Sequence, residues 1–447
     1  MVTETLRRQR RWRGLTRGTG RTGRYRSASL RTTSAVLPWL LFACAVPNAD
    51  DRSRPEGDGG APSAGRVRPG IDVLLADSLR LIAGRRLGLI TQRTARGRDG
   101  RSSVELLRKA GAGRLVALFS PEHGFAGAVE AGKTVGEGTE SASGLRIHSL
   151  YGETRKPTPE MLRGLDALLF DLQDVGARYF TYVSTMALAM QAAAAAGIPF
   201  IVLDRPNPIG GRLVQGNVLE PDYASFVGLY PIPMRHGMTP GELARLYRGA
   251  YGIPVELHVV PAAGWRREAW LDETGLPWIP PSPNLPTLES ASHYPGTCLF
   301  EGTNLSVGRG TERAFQQIGA PWLDGEALAA RLTARGLPGV RFEAVAFTPR
   351  DPGDGKFAGR RLRGVRFVLG DRRSYDPTVA GVAALLEARR LSGDLWEWRE
   401  THFDRLAGNG RLRRMIEAGR PLAEILKPWE GARAAFRKLR EPYLLYP

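Results

Sequence analysis

Three short apolar runs, residues 115–119, 167–171 and 198–203, each stop abruptly in polar residues. Stretches of helical periodicity separate or flank them, at 104–110, 159–164 and 182–196. The runs are too short for buried helices and too continuous for half-exposed strands, so they read as strands covered on both faces. Strands of this kind alternating with helices imply a mostly parallel sheet. A further short strand is predicted at 86–91, helices at 74–83 and 239–251, and a strand at 255–260. Thr239 and Pro240 supply the cap and first position of that last helix. Beyond the four prolines of 278–286, helices at 325–335 and 379–390 and strands at 340–347 and 362–369 lead to a basic helical tail. The predicted fold is α/β: a Rossmann-like domain over 70–290, then a smaller α/β (α+β) domain over 291–447, with a cleft between them.

The ends of the apolar runs carry the chemistry. They deliver Glu122-His123, then Asp171, Gln173 and Asp174, then Asp204-Arg205 and Asn207. In an open parallel sheet these ends share one rim, where ligands bind. A carboxylate beside an imidazole, next to Gly124 and Gly127, is a candidate proton-transfer pair. His236 precedes a helix, and a glycine-rich stretch at 300–311 adds Glu301, Asn304 and Arg309. That stretch has neither the Gly-Lys-Ser/Thr of a phosphate loop nor a dinucleotide fingerprint. The turn after the first strand, QRTARGRDG, lacks the fingerprint too, so no dinucleotide cofactor is expected. No metal is expected from two cysteines and six scattered histidines. A metal-dependent hydrolase built on His123, His236 and the Asp cluster is therefore the weaker alternative, and no Gly-x-Ser-x-Gly elbow supports a serine hydrolase.

The net charge of +18 does not point to nucleic acid, because residues 1–34, with ten Arg and one Glu, hold half of it. The apolar run at 35–46 suits a signal-peptide core and is too short to cross a bilayer. Leu41-Phe42-Ala43-Cys44 resembles a lipobox, with Cys44 as the lipidated residue. Residues 1–43 are thus expected to be a signal peptide of lipoprotein type and 44–69 a flexible tether. The expected product is an exported protein of the periplasm or cell envelope, attached to membrane only through lipid. Cys298 would then stand alone, without a disulfide.

Seven motifs occur in order: FSPEHGFAG, SLYGETRKPTPEML, FDLQDVGARYFTY, VLDRPNPIGG, PMRHGMTPGELA, PPSPNLPTLE and LFEGTNLSVGRGT. Together they resemble the NamZ-like exo-β-N-acetylmuramidase family, over nearly all of the chain from Gly70. The resemblance implies release of N-acetylmuramic acid from the non-reducing ends of peptidoglycan fragments, with muropeptides or disaccharides as substrates. It maps the family's catalytic glutamate onto Glu122. The chain departs from the family at Thr91-Gln92-Arg93 and at Glu312-Arg313-Ala314.

Glycoside hydrolysis needs a proton for the leaving oxygen and a second carboxylate. Glu122 is expected to be the acid, His123 to orient it or bind substrate, and Asp174, ahead of Asp171 and Glu301, to be the second carboxylate. Muramic acid differs from glucosamine by a lactyl carboxylate, which calls for a cation. Arg178, Arg205 and Arg309 are the candidates, in that order. Tyr179 is a candidate for stacking on a sugar face. Gln173, Asp204, Asn207, His236 and Asn304 complete the expected binding set. A non-catalytic wall-binding or nucleotide-binding module is the competing reading.

Overall fold

A computed structural model describes residues 67–447, all of them within one compact unit. The expectations for the signal segment, for Cys44 and for most of the tether lie outside the described residues.

The main sheet has seven strands. They are β1 (Arg86–Thr91), β2 (Arg114–Ser120), β3 (Gly138–Thr139), β4 (Arg146–Ser149), β5 (Ala167–Asp171) and β6 (Phe200–Leu203) and, after a separate ladder of β7 (Gln215–Val218) and β8 (Pro233–Arg235), β9 (Leu257–Val260). Their spatial order is β3-β4-β2-β1-β5-β6-β9. Every neighbouring pair is parallel except β3 and β4. The chain runs from β1 outward to β2 and β4, then returns to the other side of β1 with β5, so the order reverses beside the central strand.

Side-chain alternation sorts the sheet into two apolar faces. On one, Leu87, Leu89, Leu169, Ile201 and Leu203 pack with α1 (Gly70–Asp77) and α2 (Ser103–Ala110). On the other, Ile90, Phe119, Leu168, Phe170 and Val202 join the core that includes α4 (Tyr182–Ala196) and α5 (Pro240–Gly249), after the single turn α3 (Pro159–Leu162). Coverage on both faces is why these strands read as unbroken apolar runs. α5 begins as its sequence predicts, with Thr239 and Glu242 forming a capping box. The helix expected at 74–83 differs. It starts at Gly70, whose bare α-carbon lies against the backbone of Leu203, Asp204 and Val260, and ends at Asp77.

The remainder comprises α6 (Leu288–Thr297), β10 (Gln317–Ala320), α7 (Gly325–Thr333), β11 (Val340–Phe347), β12 (Leu362–Leu369), α8 (Pro377–Ser392), α9 (Glu400–Ala407), α10 (Arg411–Glu417) and α11 (Leu422–Arg440). Its sheet, β10-β12-β11, is antiparallel. This smaller half is the second layer system that the sequence predicts. α6 and α8 cross at Gly296 and Gly381. A Cβ at Gly296 would overlap the carbonyl oxygen of Pro377, and one at Gly381 would meet the carbonyl of Gly296 at 2.6 Å. Backbone cannot yield there as a flexible side chain can. Gly296→Ala is therefore expected to cost roughly 2 kcal/mol or more, read as a lower urea midpoint with an unchanged slope.

Candidate active site

β2 ends at Ser120, and Pro121 stops its pairing. The next residues turn sharply: Gly124 donates its amide to Pro121 O at 3.0 Å, and His123 holds φ at 72°. A non-glycine residue in the left-handed region costs of order 1–3 kcal/mol and marks a place where geometry outranks backbone comfort. The turn brings Glu122 and His123 to the wall of a cavity of about 250 Å³.

Two donors hold the Glu122 carboxyl. Gly132 N reaches Oε1 at 2.8 Å and Thr181 Oγ1 reaches Oε2 at 2.6 Å. Tyr151 lines the cavity nearby. Burial, then the negative charge of Glu122, push its phenol up to about 12, so it remains a donor at neutral pH. His123 Nδ1 lies 2.8 Å from Val129 O, which can only accept, so Nδ1 carries the proton and Nε2 is the acceptor of the neutral ring. Burial lowers the imidazole's pKa against the opposing pull of Glu122.

The smaller half supplies another part of the lining. Glu301 and Arg309 face the cavity as an ion pair, with Arg309 Nε and Nη2 both on Glu301 Oε1. Burial pushes the Glu301 carboxyl up, but the charge and hydrogen bonds of Arg309 leave it below its ordinary value. Asp354, Arg399 and His402 also line the cavity. Outside the lining, Glu130 Oε2 accepts from Asn284 Nδ2 at 2.8 Å and lies 3.9 Å from Arg309 Nη1.

Of the residues singled out in the sequence, Glu122, His123, Tyr179, Glu301 and Arg309 line this cavity. The others lie apart from it. Asp171 is fully buried, paired with Arg205 at 2.5 Å and accepting from Ser103, and Arg205 also donates to Arg96 O at 2.9 Å. Asp174 accepts from Gly176 N at 2.7 Å and lies 3.3 Å from His236 Nε2, both side chains being buried. Gln173 Nε2 donates to the carbonyls of Asp174 and Pro206, and Asn207 Nδ2 to Met238 O. Asp204 accepts from Thr239, Gly241 N and Tyr446, and burial lifts its carboxyl to about 6. Asn304 Nδ2 donates to Leu395 O.

Arg178 is buried completely, and its Nη atoms donate to the carbonyls of Asn217, Ile232, Leu406 and Ala407 at 2.8–3.1 Å. The expected order of lactyl-binding cations is thus reversed in space, since Arg309 alone of the three lines the cavity. The family departure at Gln92-Arg93 is structural as well. Gln92 bridges Tyr182 and Pro281 O, and Arg93 donates to Pro280 O, so together they pin the proline-rich loop.

Sequence reasoning passed over Thr181, Tyr151, Asp354, Arg399 and His402. Thr181 and Tyr151 sit inside quoted motifs and were findable there. The other three fall in stretches without any motif. Among the described residues no group of three or more His, Cys, Asp or Glu is placed to hold a metal ion.

Comparison with known proteins matches the chain to two family models. Exo-beta-N-acetylmuramidase NamZ, N-terminal, covers residues 87–289, and its C-terminal counterpart covers 292–446. The chain is 44% identical over 417 residues to the peptidoglycan beta-N-acetylmuramidase NamZ of Bacillus subtilis (strain 168), spanning 93% of this chain and 100% of that protein. Two crystal structures of DUF1343 family proteins from Bacteroides fragilis share the fold. One has a TM-score of 0.79 at 38% identity, covering 86% of this chain and 99% of its own. The other has 0.67 at 31%, covering 85% and 99%.

The setting of Arg178 makes it a structural cation. Arg178→Met is expected to take a charged donor from four buried carbonyls, of which Ile232 O keeps Leu219 N and Ala407 O keeps Asn217 Nδ2, and to cost about 3 kcal/mol. A urea titration reads this directly, and an unchanged midpoint would show the clamp to be idle.

Proposed function

Because the chain belongs to the exo-beta-N-acetylmuramidase NamZ family, we propose that it is an exo-acting glycoside hydrolase releasing N-acetylmuramic acid from the non-reducing ends of peptidoglycan fragments, with Glu122 as general acid. The observation that carries the assignment is the held carboxyl of Glu122 in the cavity wall, gripped by Thr181 and Gly132 beside the Tyr151 phenol. Glu122 delivers its proton to the glycosidic oxygen as the bond to the anomeric carbon breaks. Its two donors fix the direction of delivery, which matters because catalysis by a positioned acid depends on reach. His123 Nε2 is an acceptor for a sugar hydroxyl.

The second carboxylate comes from the cavity's own lining. Among the described residues, Glu301 and Asp354 are the two available there besides Glu122, in place of Asp174 and Asp171. Glu301 is kept in its ionised form by Arg309. One of these two meets the water or the anomeric carbon. The aromatic lining of Tyr179, Phe180 and Tyr294 gives the ring an apolar surface.

Glu122→Gln keeps the shape and removes the acid. Turnover of a chromogenic muramic acid glycoside is expected to fall about 10²–10⁴-fold, with thermal stability close to that of the parent. Full activity in this variant would overturn the assignment. Binding without turnover by the parent protein would favour the non-catalytic wall-binding module.

The address is a second proposal, supported by the basic segment, the apolar run at 35–46 and Leu41-Phe42-Ala43-Cys44. The protein is exported, lipidated at Cys44 and held at the periplasmic or envelope face, with residues 44–69 as a tether that lets the catalytic part reach wall fragments. Cys44→Ser should move it from the membrane to the soluble exported fraction. Retention at the membrane would mean an anchor other than lipid.

A further inference from the structure

A site for muramic acid has to meet one anion that glucosamine lacks, and the cations around this cavity are not equally free to do so. Arg309 has Nε and Nη2 on Glu301, Nη1 turned towards Glu130, and its guanidinium 5.3 Å from the ring centroid of Phe315. It is almost wholly buried in those contacts. Lys356, close by, donates Nζ to Leu305 O at 2.8 Å and to Phe300 O at 3.3 Å. Burial pushes its ammonium down to about 8, against the pull of Asp354. His402 is held below its ordinary value, first by burial, so its ring is neutral at pH 7.

Arg399 differs from all three. It lines the cavity as the residue before α9, and its backbone is fixed by donation of its amide to Gly302 O at 2.8 Å. Its guanidinium makes neither a hydrogen bond nor an ion pair, among the described residues, and is exposed. It is a fixed positive charge with its donors open, at the wetter edge of a cavity whose buried arginine is already neutralised.

We infer that Arg399 reads the lactyl carboxylate of the terminal muramic acid, an assignment that rests on the muramidase reading above and goes on to name its specificity residue. A guanidinium matches a carboxylate with two parallel N–H donors. Arg309 already commits Nε and Nη2 to Glu301, so a second carboxylate there would share a buried cation that its partner has neutralised. Glu122 and Arg399 come from different walls, one from the rim of the parallel sheet and the other from the start of α9. The scissile bond at one carbon of the sugar ring and the lactyl ether at another are thereby read by separate halves of the protein. Because Arg399 is exposed, its contact with the carboxylate is screened by salt, and the preference for that carboxylate should weaken as ionic strength rises.

The test crosses a change in the enzyme with a change in the ligand. The ligands are N-acetylmuramic acid, the same sugar with its lactyl carboxyl converted to a carboxamide, and N-acetylglucosamine. Each competes against a chromogenic muramic acid glycoside on the full enzyme, and direct calorimetric binding gives a second readout. The parent should prefer the carboxylate over the carboxamide by about ten- to a hundredfold. Arg399→Gln should bring that ratio close to one, leaving affinity for the carboxamide and the melting temperature near parental values. A merely structural role for Arg399 would weaken all three ligands together and leave the ratio intact, and that result overturns the inference. Loss of the ratio in a folded Arg309→Gln variant, with retention in Arg399→Gln, overturns it as well. A parent enzyme that hydrolyses no muramic acid glycoside refutes the proposed function itself, whereas hydrolysis with a ratio indifferent to Arg399→Gln refutes only this inference.

Discussion

The arrangement of the site depends on a buried cation that never meets the cavity. Arg178 lies just past the β5 rim, and its guanidinium reaches β7 and the approach to β8 through Asn217 O and Ile232 O, and the end of α9 through Leu406 O and Ala407 O. The last carbonyls of a helix have no partner within it and carry its negative dipole end, so a cation there is doubly favoured. Gly408 ends α9 at φ 74°, and a Cβ in its place would sit 2.9 Å from Arg178 Nη2. Burial pushes the guanidinium down to about 10, which still leaves it charged at neutral pH. Four carbonyls offset the desolvation of that charge. α9 carries His402, and Arg399 immediately precedes it, so one side chain of the sheet half sets where the other half presents its polar groups.

Much of the fold was legible because burial on both faces leaves an unmistakable trace. β1, β5 and α4 are found with the bounds that the apolar runs and the alanine- and methionine-rich periodicity indicate. The elements that escaped notice lack that trace. β4 reads RIHS at the sheet's flank, and β7 and β8 are short and mixed in character. α6 contains Pro295 and Gly296, which argue against a helix locally. It persists because Thr287 caps its start and its close crossing with α8 needs the missing side chain.

The site was legible only in part, for a different reason. Three strand ends offered polar clusters, and nothing in the residue types distinguishes a carboxyl that faces a cavity from one that ties loops together. Asp204 accepts from Thr239 and from the amide of Gly241, 37 positions away, and so secures the start of α5. Asp171 is consumed by Arg205 and Ser103. Glu122 is set apart by the backbone on its C-terminal side, where a left-handed His123 and then Gly124 and Gly127 give the freedom that throws the side chain outward. The contributions of Asp354, Arg399 and His402 depend on tertiary placement of stretches that carry no local signature, which is why a motif-based reading stops at Arg309.

The cavity is lined by residues from Glu122 to Leu406, and the Arg178 clamp closes a separation of 228 positions at Leu406. Contacts this distant in sequence are slow to form, because most of the chain's freedom must be given up before they repay it. Partly folded forms with an intact parallel sheet would still lack the wall that holds Glu301, Arg309 and Arg399. Activity should therefore appear in a single late step of refolding rather than growing in with secondary structure. An enzyme of this family is then silent until its whole architecture has closed.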